Sequence, residues 1–140
     1  MKIEIVYASM TKHTRKLAEA LASYLGIIAQ DVKSNPVLDQ CDLLLLGSGV
    51  YGGKLAPEIE EFANKLSQAN VKKVILFTTS CAGKDITMKL QDVLKEKGIL
   101  VYDKAYTCPG QFLIFKIKRP NKNDVTSFIQ FAKQAIESLK

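Results

Sequence analysis

A chain of 140 residues is long enough to bury a core without disulfides or a metal, and a single domain over 1–140 is expected. A composition 47% hydrophobic and 24% charged excludes disordered, collagenous and membrane-spanning polypeptides. With 20 Lys and Arg against 14 Asp and Glu, the formal charge of +6 favours acidic partners, anionic ligands or loose contact with polyanions, and names none of them.

In chain order, Lys2–Tyr7 reads as a strand. Because the chain starts directly on it rather than on a cleavable leader, the cytoplasm is the expected address. Leu17, Leu21, Ala22 and Leu25 then form a helical stripe that Gly26 ends, and Ile27–Val32 is a weaker strand candidate. Pro36 makes a turn, not a full helix, the expectation for the connection to Asp42. Leu43–Gly47 is the third strand, followed by the helical stripe Ile59, Phe62, Ala63 and Leu66. Lys73–Phe77 is the fourth strand, Ile86, Leu90, Val93 and Leu94 the next stripe, and Gly98 its expected end before a fifth strand over Ile99–Tyr106. A last helix, capped near Asn121–Asp124, carries Val125, Phe128, Ile129, Ala132, Ala135, Ile136 and Leu139 on one face.

Strands alternating with helices in this way pair in parallel through right-handed crossovers, and apolar strands suit a sheet covered on both faces. A doubly wound α/β three-layer sandwich follows, with ligands expected beyond the carboxyl ends of the strands. That places attention on 8–14, 48–57, 78–84 and 107–122. Cys41, Cys81 and Cys108 are odd in number and lack CxxC spacing, so they read as free thiols, with neither a disulfide framework nor a zinc site.

The turn Ser9-Met10-Thr11-Lys12-His13-Thr14 joins the first strand to the first helix and offers three hydroxyls beside unpaired backbone N–H groups. Such a turn suits a phosphate, because the helix amino terminus presents aligned donors and about half a positive charge. Helix capping by Ser9, Thr11 or Thr14 is the plainer use of the same hydroxyls. In the second segment, Ser48-Gly49-Val50-Tyr51-Gly52-Gly53 after Gly47, four glycines within seven residues let backbone approach a flat ligand, and Tyr51 is an aromatic placed to stack on one. The third segment, Thr79-Ser80-Cys81-Ala82-Gly83 after Thr78, is again small and hydroxyl-rich.

Ile5-Val6-Tyr7-Ala8-Ser9-Met10-Thr11, then Thr14, Ala18 and Leu21, resembles the amino-terminal signature of the flavodoxin family, and nearly the whole chain resembles a short flavodoxin-domain protein. The resemblance implies a flavodoxin-like sandwich on a five-stranded parallel sheet of order 2-1-3-4-5. It also implies FMN as cofactor, its phosphate at Ser9, Thr11 and Thr14. The family pattern there is Ser/Thr-x-Thr-Gly-Asn-Thr. Lys12 replaces the usual small residue and His13 the usual Asn, so the backbone must tolerate a Cβ at position 12. The family's second loop contacts the flavin, which implies the same of Tyr51, and Gly52 or Gly53 are the peptides that would face the flavin N5. The third loop would meet the other side of the ring through the amides of 80–83, without the second aromatic that many flavodoxins carry. The expected function is electron transfer to a redox partner protein with an acidic docking surface, with no membrane span and no specific nucleic acid. An FMN-dependent oxidoreductase of the quinone- or protoporphyrinogen-linked type is the alternative, and a non-redox anion- or nucleic-acid-binding module a second. Lys12, Lys54 and Lys84 in the three loops, with Lys116, Lys118 and Arg119 after the fifth strand, are expected to ease reduction of the flavin. Cys81 and Cys108 are expected at neighbouring strand ends.

Overall fold

A computed structural model describes residues 1–10, 12–79, 86–108 and 121–140, and of Cys108 the backbone alone. β1 (Ile3–Ala8), β2 (Ala29–Asp31) and β3 (Cys41–Tyr51) are followed by the short β4 (Lys54–Leu55), then β5 (Val71–Thr79), β6 (Leu100–Val101) and β7 (Tyr106–Cys108). The helices are α1 (His13–Leu25), α2 (Pro57–Asn64), α3 (Met88–Glu96) and α4 (Lys122–Ser138). The sheet runs β2-β1-β3-β5-β6, with β4 paired to β3 and β7 to β5. With β4 set aside, the five parallel positions follow the expected order 2-1-3-4-5.

Three features depart from the sequence expectation. The sheet has seven strands among the described residues, and β4 pairs antiparallel with β3 through Val50↔Leu55 and Tyr51↔Lys54. The expected fifth strand is broken: Val74 pairs Val101 and Phe77 pairs Tyr106, so three steps along β5 are matched by five along its neighbour. The surplus leaves the ladder at the exposed, charged Asp103 and Lys104. Finally, β3 continues through Ser48, Gly49, Val50 and Tyr51, where a loop was expected. Its glycines serve packing there. A Cβ on Gly47 would overlap the Phe77 ring, and one on Gly49 the Tyr51 hydroxyl.

Near-continuous apolar strands still alternate between two covered faces. Ile5, Tyr7, Leu43, Leu45, Ile75 and Phe77 pack with Leu17, Leu21, Phe128 and Ala132 of α1 and α4. Val6, Leu44, Leu46, Val74 and Leu76 pack on the other face with Ile59, Ala63, Leu90 and Leu94 of α2 and α3. Gly26 and Gly98 stop their helices at φ 72 and 77°, the left-handed region that glycine enters without a Cβ clash. The connection through Pro36 is a single 3-10 turn over Val32–Ser34, as its composition implies.

The stripe of α4 begins at a reciprocal cap. Asp124 N–H donates to Asn121 Oδ1 at 2.9 Å, and Asn121 N–H donates to Asp124 Oδ2 at 2.8 Å. Asn121→Ala removes the first bond and frees an amide at the helix start, so a loss of about 1 kcal/mol is expected. Urea unfolding with an unchanged slope would read it, and a midpoint equal to that of the parent would show the cap to be inert.

Candidate functional site

The parallel registers bring the carboxyl-side residues of four strands, β1, β3, β5 and β7, to one edge. Ala8 pairs Ser48, Ser48 pairs Thr78, Gly49 pairs Thr79, and Thr79 pairs Cys108. β1 lies between β2 and β3, so chain order reverses beside it and the turn after β1 opens at a switch point.

In that turn Lys12 precedes α1 with φ 68°, a left-handed conformation that a side chain occupies at a cost, and its side chain makes no cap bond. Lys12 is exposed and His13 opens the helix. Among the described residues, neither Ser9 nor Thr14 occupies the N-cap position, which is Lys12. Ser9 Oγ is buried and has no hydrogen-bond partner among the described residues, a cost that a bound acceptor or donor would remove. Thr14, fully buried, places Oγ1 2.7 Å from Thr79 Oγ1 and so ties the start of α1 to the end of β5. Met10 is exposed, and its backbone N–H donates to the Tyr51 hydroxyl at 2.7 Å. Thr11 lies outside the described residues.

The second segment is a hairpin rather than an open loop. Gly52 and Gly53, at φ 59 and 76°, form the two-residue turn between β3 and β4, a geometry that matches strand twist and requires positive φ at both positions. Ser48 is buried and its hydroxyl is spent inside the fold, donating to Gly49 O at 2.7 Å and accepting from Ala56 N–H at 3.0 Å. Tyr51 is half-buried, packs on the α2/α3 side of the core and points its hydroxyl at the first turn. Lys54 is exposed at the start of β4, paired with Tyr51. A cleft of about 480 Å³ adjoins it, lined by Gly53, Lys54, Leu55, Glu60, Ile86 and Leu90.

Of the third segment, Thr78 and Thr79 are buried strand residues. Ser80, Cys81, Ala82, Gly83 and Lys84 lie outside the described residues, as do Lys116, Lys118 and Arg119. Cys108 sits beside Thr79 in the ladder, so the neighbouring strand ends are where the sequence put them, while the position of Cys81 is undescribed. Thr107, absent from the expected site residues, shares this edge and accepts from Thr78 at 3.4 Å. Its signal was the strand ending at Tyr106, read two residues too short. Cys41 lies at the opposite end of β3, where burial, reinforced by Glu4, pushes its thiol up to about 11 and keeps it protonated at neutral pH. Burial also raises the Tyr7 phenol, against the pull of Arg15, so the residue one step before Ala8 stays neutral. Among the described residues no cluster of His, Cys, Asp or Glu could hold a metal, and no helix is long and apolar enough to cross a membrane.

The family profile described as "Flavodoxin domain" matches residues 4–115. An uncharacterized protein of Methanocaldococcus jannaschii is 34% identical over 154 aligned positions, covering 99% of this chain and all of that protein. Among solved structures, a flavodoxin from the domain Archaea superposes with a TM-score of 0.80 at 17% identity, covering 99% of both chains. Oxidised Flavodoxin 2 from Bacillus cereus superposes with a TM-score of 0.72 at 20% identity, again over 99% of both. These likenesses are to the flavodoxin fold.

Proposed function

The chain belongs to the flavodoxin domain family, and on that premise we propose that it binds FMN at the carboxyl edge of the sheet and transfers electrons through it. The observation that carries the reading is the buried, unpartnered Ser9 hydroxyl in the turn that opens α1. The donor set fits a phosphate ester: a neutral hydroxyl already out of water, a helix amino terminus, and the positive Lys12 on the rim.

In this reading Ser9, Met10, Thr11, Lys12, His13 and Thr14 hold the phosphate. The hairpin of Ser48, Gly49, Val50, Tyr51, Gly52 and Gly53 walls one side of the ring system, and Thr79, Ser80, Cys81, Ala82 and Gly83 the other. When bound, the flavin supplies the redox chemistry, and the protein supplies position, exclusion of water and electrostatics. The exposed Lys12 and Lys54 flank the site and favour an acidic docking surface on a redox partner. Cytoplasmic electron transfer is the role that combines these features.

Titration of apoprotein with FMN and riboflavin tests the reading. Each hydrogen bond to the charged phosphate contributes roughly 1.5–3 kcal/mol, so FMN is expected to bind at least about tenfold more tightly than riboflavin. Equal affinities would overturn the phosphate site, and binding of neither would overturn the flavin reading. Stopped-flow reduction by NADH or NADPH with a quinone separates the roles: turnover without a partner protein favours the FMN-dependent oxidoreductase over the carrier.

A further inference from the structure

We propose that the Tyr51 hydroxyl is a donor to the cofactor phosphate, and that Gly49 lacks a side chain so that this hydroxyl can occupy its place. The proposal rests on the FMN reading above and assigns one residue of that site a role different from ring stacking.

Tyr51 ends β3, yet its hydroxyl crosses to the turn after β1 and accepts the Met10 N–H at 2.7 Å. A tyrosine hydroxyl has one hydrogen to give. With an acceptor position filled by Met10, that hydrogen is directed away from the amide, and no acceptor is set against it among the described residues. The ring is half-buried against the α2/α3 face of the core, so the hydroxyl sits on a side chain held at its base. A Cβ on Gly49 would overlap both the hydroxyl and the ring carbon that bears it. At this position glycine is not needed for backbone freedom, because its φ is not positive; it is needed for room. Ser9 Oγ, one residue before Met10, has no partner among the described residues. Two hydroxyls, one in the turn after β1 and one hydrogen-bonded to that turn from the end of β3, thus carry unspent donor capacity. A phosphate, with acceptors on every oxygen and two negative charges, is the ligand that uses both; a neutral sugar alcohol uses them weakly.

The experiment measures dissociation constants of FMN and riboflavin for apoprotein carrying Tyr51→Phe, which keeps the ring and removes the hydroxyl. FMN affinity is expected to fall about tenfold, with riboflavin affinity within about twofold of the parent, so that discrimination between them narrows. Gly49→Ala is the second variant, for the case in which Tyr51→Phe fails to fold. It retains the phenol but displaces its hydroxyl, and the same narrowing is expected. An unchanged ratio overturns the proposal. So does a parallel loss of both ligands, which would make Tyr51 a ring contact or a brace, and so does tighter FMN binding, which would make its hydroxyl a competitor for the Met10 amide. If parent apoprotein binds riboflavin and FMN equally, the phosphate site itself fails, and that result is distinct from an effect confined to the variants.

Discussion

Phe128→Ala is expected to lower the unfolding free energy by about 3–5 kcal/mol, the range for deleting a buried aromatic ring. Phe128 is fully buried on α4, with its ring centroid 4.7 Å from that of Phe77 and 5.1 Å from that of Tyr106. Phe77 is itself enclosed, because it fills the space beside Gly47. Neither neighbour can move into the vacated volume without opening a gap elsewhere, so the cost includes a cavity as well as lost transfer energy. For a chain of this length the melting temperature should drop by about 10–17 °C. Ser127→Ala, one position along and exposed, should change stability by less than about 0.5 kcal/mol. The two variants compared by urea unfolding decide the matter: a Phe128→Ala midpoint close to that of Ser127→Ala would mean that α4 is not held by this aromatic contact. The site should feel the change too, since Phe77 lies two residues before Thr79.

What the sequence made legible is what short-range physics controls. The helical stripes, the Gly26 and Gly98 stops and the Asn121–Asp124 cap depend on periodicity and on residues within one turn of each other, and they are found where the pattern put them, except that Leu66 lies past the end of α2 and Ile86 before the start of α3. The wedge of glycines after Gly47 was misread because glycine carries two messages. Gly52 and Gly53 are there for backbone conformation, and they make the turn that composition suggested. Gly47 and Gly49 are there for the volume of Phe77 and Tyr51, and they remain in the strand. No local rule separates these cases, since the deciding atom on Gly47 comes from β5. The break between β6 and β7 was hidden for a similar reason. Val101, Tyr102, Ala105 and Tyr106 keep an apolar character across the interruption, while the two surplus residues register only against β5.

At the candidate site the sequence located the edge but not the bonds. Hydroxyl-rich strand ends are visible one segment at a time, and the registers of β1, β3 and β5 bring them together. Which hydroxyls are already committed is a tertiary fact. Ser48 is satisfied within its own hairpin, Thr14 is paired across 65 residues, Tyr51 reaches back 41, and Ser9 is left over. A pattern of hydroxyls therefore overstates the donors available to a ligand until the internal bonds are known.

The Thr14–Thr79 pair gives the sharpest separation of structure from binding. Thr14→Val is nearly isosteric, so its main effect is to strip Thr79 of a partner while both positions remain out of water. Leaving one buried hydroxyl alone costs about 1–3 kcal/mol, and removing both can be close to neutral. Thr14→Val should therefore destabilise, Thr79→Val should destabilise similarly, and the double variant should recover much of the loss instead of summing the two. Thr14→Ser, which keeps the oxygen, should lie nearer the parent than Thr14→Val. Flavin binding is expected to follow a different logic. If the Thr14 hydroxyl accepts from Thr79 and gives its own hydrogen to the phosphate, the preference for FMN over riboflavin should fall about tenfold in Thr14→Val, and it should stay low in the double variant even as stability returns. Thr79→Val alone should keep the preference. Urea unfolding and paired FMN and riboflavin titrations across the parent and the four variants read both quantities. Strict additivity of the stability losses would show that the two hydroxyls do not act as a pair. An FMN preference that recovers together with stability would show that Thr14 orders the turn without touching the phosphate.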